Sequence, residues 1–360
     1  MLSQAERWYA FERSVTGFYR WYIARSQELR NWNADLSLNW RELRGDLSDS
    51  TMRIVEGYYA VEQFIPDYVS KVLNVIRESY GRSQFYIRWG SEEERHADLW
   101  RNVLLFSGRR SEKWLHEYNV RLRGQEWHLP WDEPFRMVFY TVFQERATQV
   151  NYLNLGLVAK GDKQIDGADD TDPVLAQACR LIAIDEAAHY NFFLELSRLI
   201  LYYFPEEGVA AMYDIVKHFM MPAHDIIPDY EEFTKILHKA GVFGLRQHSR
   251  DVVQVVLSQF GIEGVKALEA GIRRSRDVPD FQGDFRSGAY LDSMDYGLVE
   301  KKVTQLHARV THFEESFGRH EFDQFEFVEN PELTELAEYQ RQRREEHIAP
   351  IIEPVDEAAN

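Results

Sequence analysis

Apolar residues recur three and four positions apart over long stretches of the chain, which is the period of an amphipathic α-helix. The connections between these stretches lack the alternation that is typical of strands. The pattern predicts long helices over 50–78, 83–105, 134–158, 173–203 and 207–220, and shorter ones over 229–240, 245–260 and 264–274. The sequence therefore predicts an all-α bundle rather than an α/β sheet.

Charged side chains lie on the apolar faces of the first four predicted helices. Two of these helices carry one glutamate each, and the other two carry a Glu-x-x-His pair, whose spacing places both side chains on one face. Bare carboxylates in a bundle core would be costly, so something must compensate them. The six residues, in chain order, are Glu62, Glu93, His96, Glu145, Glu186 and His189.

Two lone glutamates and two Glu-x-x-His pairs on four helices form the donor set of bundles that hold two iron or manganese ions. Two divalent ions would balance the four carboxylates with both imidazoles neutral, and oxygen and nitrogen donors suit these metals. A single cysteine, Cys179, excludes a multi-thiolate zinc site or a cysteine-ligated iron–sulfur cluster. The sequence therefore predicts a dinuclear metal site in an all-α fold, a ferritin-like four-helix bundle extended by additional helices.

Composition and charge narrow the class of protein. The chain has 360 residues, of which 44% are hydrophobic, as in a globular protein. Its 59 acidic and 42 basic residues give a formal net charge of −17, which argues against nucleic-acid binding. The N-terminal stretch MLSQAERWYAFERSV lacks the pattern of a signal peptide, and no apolar run approaches the ~18 residues of a membrane span. We therefore expect a cytoplasmic protein without membrane insertion.

Two segments are expected to carry no site. Residues 161–172 are rich in acids but lack the spacing of an EF-hand, so we predict a solvated interhelical loop, with Pro173 opening the next helix. After about residue 277 the helical pattern weakens, and 282–284 and 287–288 have turn composition. We expect one domain over 1–335 and a charged tail over 336–360.

Short segments around the six residues resemble the soluble acyl-acyl carrier protein desaturases, the plastid-type stearoyl desaturases and their bacterial relatives. They are Glu-Gln-Phe-Ile-Pro-Asp-Tyr at 62–68, Glu-Glu-Glu-Arg-His at 92–96, Phe-Gln-Glu-Arg-Ala-Thr at 143–148, Asp-Glu-Ala-Ala-His at 185–189 and Met-Pro-Ala-His at 221–224. The third and fifth segments are not generic to ferritin-like proteins. The resemblance covers about residues 32–260, and we expect a bacterial member of the family.

The resemblance implies individual roles. Thr148 matches a threonine implicated in proton delivery, although a threonine that bonds back to its own helix is the alternative. Asp185 matches an acid that orients the His96 ring, and Trp32 the surface end of an electron path through both, with ordinary packing of Trp32 as the alternative. The implied iron ligands are Glu62 and His96 on one ion, Glu145 and His189 on the other, and Glu93 and Glu186 as bridges.

Several positions depart from the family pattern. Val61 stands where the plant enzymes carry threonine, Asn151 where a small hydroxyl residue is usual, and Lys71 where an apolar cavity residue is expected. Pro66 predicts a kink after Glu62, because proline cannot donate the backbone hydrogen bond at that position. These departures leave open the acyl chain length, the double-bond position and the outcome of oxygen activation.

The function implied by the resemblance is O2-dependent desaturation of an acyl chain carried on acyl carrier protein. It implies two iron ions per chain, a ferredoxin-type electron donor and a homodimer. Two alternatives stay open: a di-iron hydroxylase or oxygenase acting on a carrier-bound acyl chain, and a non-catalytic ferritin-like iron-binding protein. An acidic carrier needs a basic patch on this acidic chain. The candidates are Arg109, Arg110 and Lys113, or Arg273, Arg274 and Arg276, with scattered surface cations as the alternative.

Overall fold

The computed structural model describes residues 2–274 and 293–318 together with Glu338. Within this part of the chain every regular element is helical, apart from one isolated bridge between Ile165 and Ala168. The all-α prediction is confirmed. None of the helices described is long and apolar enough to cross a membrane. In chain order they are α1 (Gln4–Leu29), a 3-10 helix (Trp40–Glu42), α2 (Asp49–Glu62), α3 (Ile65–Ile76), α4 (Tyr80–Phe106), α5 (Glu112–Leu122), α6 (Pro134–Ala159), α7 (Pro173–Tyr203), α8 (Pro205–His218), α9 (Tyr230–Lys239), α10 (Leu245–Gln247), a π-helix (His248–Val253), α11 (Gln254–Ser258), α12 (Val265–Arg274) and α13 (Tyr296–Glu315).

Helices α2, α4, α6 and α7 form the central bundle. The pairing of α6 with α7 is the most extensive, and α4 packs against both α2 and α7. Around this bundle, α1 lies against α4 and α7, and α13 packs on α1 and α7. Helix α9 covers α2, and α8 packs against α6 and α7. The bundle core is therefore shielded from solvent on most of its circumference.

Each bundle helix begins at a side chain that accepts hydrogen bonds from the free backbone N–H groups of the first turn. Ser48 caps α2, Ser79 caps α4 and Glu133 caps α6. Asp172 caps α7 by accepting from the amide of Leu175 at 2.7 Å. Pro173 occupies the first position of α7, as predicted, where its missing N–H costs nothing.

Helices α2 and α3 are separate, so the prediction of a single helix over 50–78 is wrong. Gln63 and Phe64 separate the two helices, and Pro66 lies in the first turn of α3. In place of the kink predicted after Glu62, the helix ends and a second one begins. Pro66 has no N–H with which to continue the hydrogen bonding of α2. As a result, Glu62 is the last residue of α2.

Three helices were not predicted: α1, α5 and α13. The buried residues of α1 include Phe11, Val15, Phe18 and Tyr22, which have helical spacing. The expected weakening after residue 277 is wrong for α13, which also buries a regular apolar stripe. The turns at 282–284 and 287–288 lie outside the described residues, as does the tail over 336–360 apart from Glu338. A single domain over 1–335 stays a prediction.

The loop over 161–172 is only partly solvated, which corrects the prediction. Asp170 is buried and accepts hydrogen bonds from the amide and hydroxyl of Ser48 at 2.6 and 2.7 Å and from the Thr51 hydroxyl at 2.7 Å. The buried Asp172 accepts from the amide of Arg44 at 2.9 Å. Asp170 therefore fastens the loop to the start of α2, and Asp172 fastens it to the segment that precedes α2. Local composition does not reveal such tertiary contacts.

Candidate metal centre

The bundle brings all six predicted ligand side chains together in its buried interior. They form two overlapping groups, and within each group one ligand atom from every residue lies within 4.8 Å of the others. Glu93 and Glu186 belong to both groups, as bridging carboxylates would. The first group is Glu62, Glu93, His96 and Glu186, and the second is Glu93, Glu145, Glu186 and His189.

Several buried polar atoms of this cluster have no hydrogen-bond partner, a costly arrangement in a protein interior. Nδ1 of His189 lies 2.9 Å from Oε1 of Glu93 and 3.5 Å from Oε2 of Glu145, without hydrogen-bond geometry. Carboxylate oxygens and imidazole nitrogens that converge without partners fit divalent iron or manganese. The unpartnered atoms are Oε1 of Glu93, Oε2 of Glu145, Oε1 of Glu186 and Nδ1 of His189.

The burial of several acids close together shifts the pKa values of the cluster. Burial, and then the charge of Glu93, raise the pKa of Glu62 well above its usual value. Burial, and then Glu186, do the same to the pKa of Glu145. Burial also opposes ionisation of Glu93, but the nearby His96 and His189 outweigh it and lower the pKa of Glu93. The ionised forms of Glu62 and Glu145 are therefore disfavoured in this interior.

Asp185 and Trp32 contact His96 on the side away from the cluster. Oδ2 of Asp185 lies 3.4 Å from Nε2 of His96 and accepts a hydrogen bond from the Trp32 indole at 2.8 Å. The Trp32 and His96 rings are stacked, with centroids 6.1 Å apart and planes at 6°. Arg95 donates to the same Asp185 oxygen at 3.1 Å. These contacts bring together the three residues of the predicted electron path, whose use by electrons stays a prediction.

Glu92 is a site residue that the sequence analysis missed. It is fully buried, and its Oε2 lies 2.9 Å from Nε2 of His189 and accepts a hydrogen bond from the Tyr22 hydroxyl at 2.5 Å. Burial opposes the ionisation of Glu92, but the hydrogen bond and charge of His189 and the charge of Arg30 outweigh it and lower the pKa of Glu92. The signal was present, because Glu92 precedes Glu93 as Asp185 precedes Glu186. We call Glu92 and Asp185 the outer carboxylates. Glu92 of α4 contacts His189 of α7, and Asp185 of α7 contacts His96 of α4.

Thr148 lies beside the cluster in a position that fits both of its predicted alternatives. Its hydroxyl is 2.7 Å from Oε2 of Glu186, and 3.0 and 3.2 Å from the backbone oxygens of Glu145 and Gln144. A hydroxyl has one hydrogen, so it can donate to Glu186 or back to its own helix, but not fully to both. A turn of the Thr148 hydroxyl would therefore change whether Glu186 accepts its hydrogen bond, and a role in proton delivery stays a prediction.

An apolar cavity of about 590 Å³ lies next to α9, and Thr148, beside the cluster, is one of its lining residues. A separate, narrower space is lined by Glu62, Glu93 and Trp89. Val61 and Thr148 line both spaces, so the two adjoin at these side chains. A long, thin apolar molecule that occupied both spaces would lie next to Glu62 and Glu93.

Residues 24–279 match the family model described as "Fatty acid desaturase". The match covers well over half of the chain. The chain therefore belongs to the fatty acid desaturase family. This confirms the family resemblance found in the sequence motifs, whereas the expected bacterial origin stays a prediction.

Curated relatives in the desaturase family are similar over about two thirds of the chain. "Stearoyl-[acyl-carrier-protein] 9-desaturase 6, chloroplastic" of Arabidopsis thaliana is 28% identical over 253 residues, which are 66% of this chain and 62% of that protein. "Acyl-[acyl-carrier-protein] 6-desaturase" of Thunbergia alata is 26% identical, with coverages of 66% and 62%. The chain thus spans about 62% of the length of these relatives. The solved structure of DesA2 from Mycobacterium tuberculosis H37Rv is 20% identical, with a TM-score of 0.48, over 69% of this chain and 94% of that one.

The departures from the desaturase pattern fall in different places. Val61 and Asn151 line the large cavity, so both can affect what it holds. The expectation that Lys71 replaces a cavity residue is wrong, because its ammonium pairs with Glu126 and is partly exposed. Lys71 therefore leaves the apolar lining of the cavity unchanged.

The candidate carrier-docking patches differ in their free charge. Arg109 is paired with Asp49, Arg110 with the buried Glu56, and Lys113 lies 3.8 Å from Glu117. The first patch is therefore largely neutralised by its own neighbours. In the second patch Arg273 is exposed, while the side chain of Arg274 and the whole of Arg276 lie outside the described residues.

Proposed function

We propose that this protein is a di-iron desaturase that introduces a double bond into an acyl chain carried on acyl carrier protein. One observation carries the proposal: two overlapping groups of buried ligand side chains have unpartnered atoms, and Glu62 and Glu93 line a narrow space that adjoins an apolar cavity of about 590 Å³. The names of the curated relatives support the same substrate class. Val61 and Thr148 line both the cavity and the narrow space.

In this proposal two iron ions would occupy the cluster. One would be held by Glu62 and His96 and the other by Glu145 and His189, and Glu93 and Glu186, which belong to both groups, would be shared between them. When bound, iron supplies the O2-dependent oxidation of unactivated methylenes that no side chain can perform. In the balanced reaction, two hydrogens leave adjacent carbons, two electrons come from a ferredoxin-type donor, two protons come from solvent, and O2 becomes two water molecules.

The protein's own residues bind the acyl chain, orient it and exclude water. The apolar lining of the cavity holds the acyl chain extended and keeps solvent away from the reacting carbons. The Thr148 hydroxyl, 2.7 Å from Glu186, holds a proton at the edge of the cluster next to that chain. Trp32, which is half-buried, and Asp185 provide a route for electrons from the surface to His96.

The direct test is product analysis with purified, iron-loaded protein. We would supply O2, ferredoxin, its reductase and a ladder of saturated acyl chains on acyl carrier protein, and measure the products by mass spectrometry. We expect loss of two hydrogens at one preferred chain length. Gain of one oxygen atom would instead identify the hydroxylase alternative. Full iron loading with no product at any chain length would contradict an acyl carrier protein substrate and favour a non-catalytic iron-binding protein.

A homodimer is part of the same proposal. We expect light scattering after size exclusion to give about twice the chain mass of 42.6 kDa. A monomer at micromolar concentration would contradict the dimer without affecting the metal centre, because all six proposed ligands come from one chain.

A further inference from the structure

Arg30, the residue that follows the last turn of α1, contacts both outer carboxylates. Its Nη1 donates to Oδ1 of Asp185 at 3.1 Å and lies 3.6 Å from Oε2 of Glu92. The side chain is only 10% exposed, and its guanidinium lies over the ring of Tyr22, 4.9 Å from the centroid. One buried cation therefore joins the two groups that orient the proposed histidine ligands.

Two neighbouring arginines contact only one outer carboxylate each. Arg88 donates to Glu92 at 3.1 Å, and Arg95 donates to Asp185 at 3.1 Å. Among the described residues, Arg30 alone forms ion pairs with both. The protein thus provides its own controls, because each of these two arginines supports one half of the arrangement that Arg30 spans.

We propose that Arg30 is a positioning residue that couples the two metal positions, by holding Asp185 and Glu92, and through them the rings of His96 and His189, in one rigid arrangement. This inference rests on the metal centre proposed above. A carboxylate that accepts from the outer nitrogen of a ligand histidine fixes the ring's orientation and its basicity.

The chemistry of arginine suits this role. Its planar guanidinium presents donors in fixed directions, so one group can hold two carboxylates, whereas a lysine ammonium is a compact point charge on a flexible stem. At this largely buried position the loss of the cation leaves both carboxylates less compensated and removes the one contact that they share. Helix α1, which contributes no ligand, thereby acts on both ligand helices, since Tyr22 and Ser26 of α1 also donate to Glu92.

The test measures the release of iron from loaded protein to a coloured chelator, with Mössbauer spectra of the two iron positions as a second readout. We expect Arg30→Gln to release both irons about ten-fold faster, the lower end of what loss of an outer partner costs in metal affinity. The controls Arg88→Gln and Arg95→Gln should each accelerate one release phase and alter one of the two Mössbauer signals. If Arg30→Gln changes one signal or none, the coupling is wrong.

Arg30→Lys separates positioning from simple charge and serves if Arg30→Gln does not fold. It keeps the positive charge but cannot hold two carboxylates in fixed directions, so we expect faster release at both positions. Release from Arg30→Lys at the wild-type rate would overturn the positioning role. Wild-type protein that binds no iron at all would instead contradict the proposed function, so the two failures are distinguishable.

Discussion

Glu145 on α6 is a residue that the metal-free fold can hold only at a cost. One of its oxygens accepts a hydrogen bond from the Trp89 indole at 2.9 Å, and the other has no hydrogen-bond partner. Burial and the nearby Glu186 raise its pKa, so the ionised form is disfavoured in this interior. Because bound cations would supply the missing partner, the free energy of metal binding offsets what the fold loses here.

We therefore expect the double variant Glu145→Ala and Glu186→Ala to lose iron. Its stoichiometry, measured by colorimetric iron assay, should fall from two ions per chain to nearly none. Its metal-free form should unfold at a temperature no lower than metal-free wild type, because two poorly compensated buried carboxylates are gone. Glu94→Ala is the control, since Glu94 lies in the same sequence segment as Glu93 but is exposed. Full iron retention in the double variant would contradict the ligand assignment.

For individual residues, the sequence was informative wherever the position on one helix face decides whether a side chain reaches the cluster. The spacing of Glu93 with His96, and of Glu186 with His189, is enough to place each pair on the same apolar face. Glu92 lies four residues before His96, so periodicity alone would place it on the same side of α4. Its contact with His189 depends on how α4 packs against α7, which periodicity within one helix does not describe. The repeated order of acid, glutamate and histidine in the two segments was the only available signal for that contact.

Helix α2 delivers Glu62 to the cluster and is fixed at both ends. At its start Asp170 accepts three hydrogen bonds from Ser48 and Thr51, and at its end the chain breaks before Pro66. The sequence indicated the interruption at the proline but not the anchor, because the partners of Asp170 are more than a hundred residues away. Contacts of this kind arise from tertiary packing alone.

Asp170→Ala should destabilise the protein by about 3 kcal/mol, because it leaves buried donors at the start of α2 without their charged acceptor. The free energy of unfolding in urea is the measurement. Asp166→Ala is the matched control from the same loop: Asp166 pairs with the exposed Lys239 and accepts from Ser50 near the surface, so its loss should change stability little. Equal effects of the two variants would show that the loop does not anchor α2.

The last described helix, α13, ties the two ends of the described chain together. It packs on α1 and α7, and the ion pair between Arg13 and Glu314 at 2.6 Å joins it to α1. In the same contact Nε2 of His307 lies 3.0 Å from the Ser14 hydroxyl, which itself donates to the backbone of α1. Burial, and then Arg13, lower the pKa of His307 to about 3. The contact therefore needs a neutral imidazole.

This predicts a pH dependence of the whole fold. The unfolded chain binds a proton at His307 more readily than the folded one, so the stability from this group is present above about pH 6.5 and is lost as the pH falls towards 3. Its largest slope is about 1.4 kcal/mol per pH unit. In denaturant titrations at pH 7 and pH 5, His307→Gln should lose less stability on acidification than wild type. His116→Gln, at an exposed position, should behave as wild type.

At the scale of the molecule, hydrophobic periodicity was sufficient for the all-α class and for α4, α6 and α7, but it merged α2 and α3 into one helix. It was insufficient for α1 and α13, because polar residues such as Ser14 and Glu314 occupy part of the face that each helix buries. Helix α1 lies next to the outer carboxylates, and α13 packs on α1. The parts that enclose the cluster were therefore harder to predict than the parts that form it.

The exchange of outer carboxylates between α4 and α7 also sets the register of these two helices. A slide of one residue along the axis, about 1.5 Å, would change the contact of Asp185 with His96 and that of Glu92 with His189 together. The two contacts are therefore coupled, and no small sliding motion can change the length of one while it preserves the other. Substitutions that shift the packing of α4 on α7 should consequently be tolerated poorly, even far from the cluster and even where they are apolar.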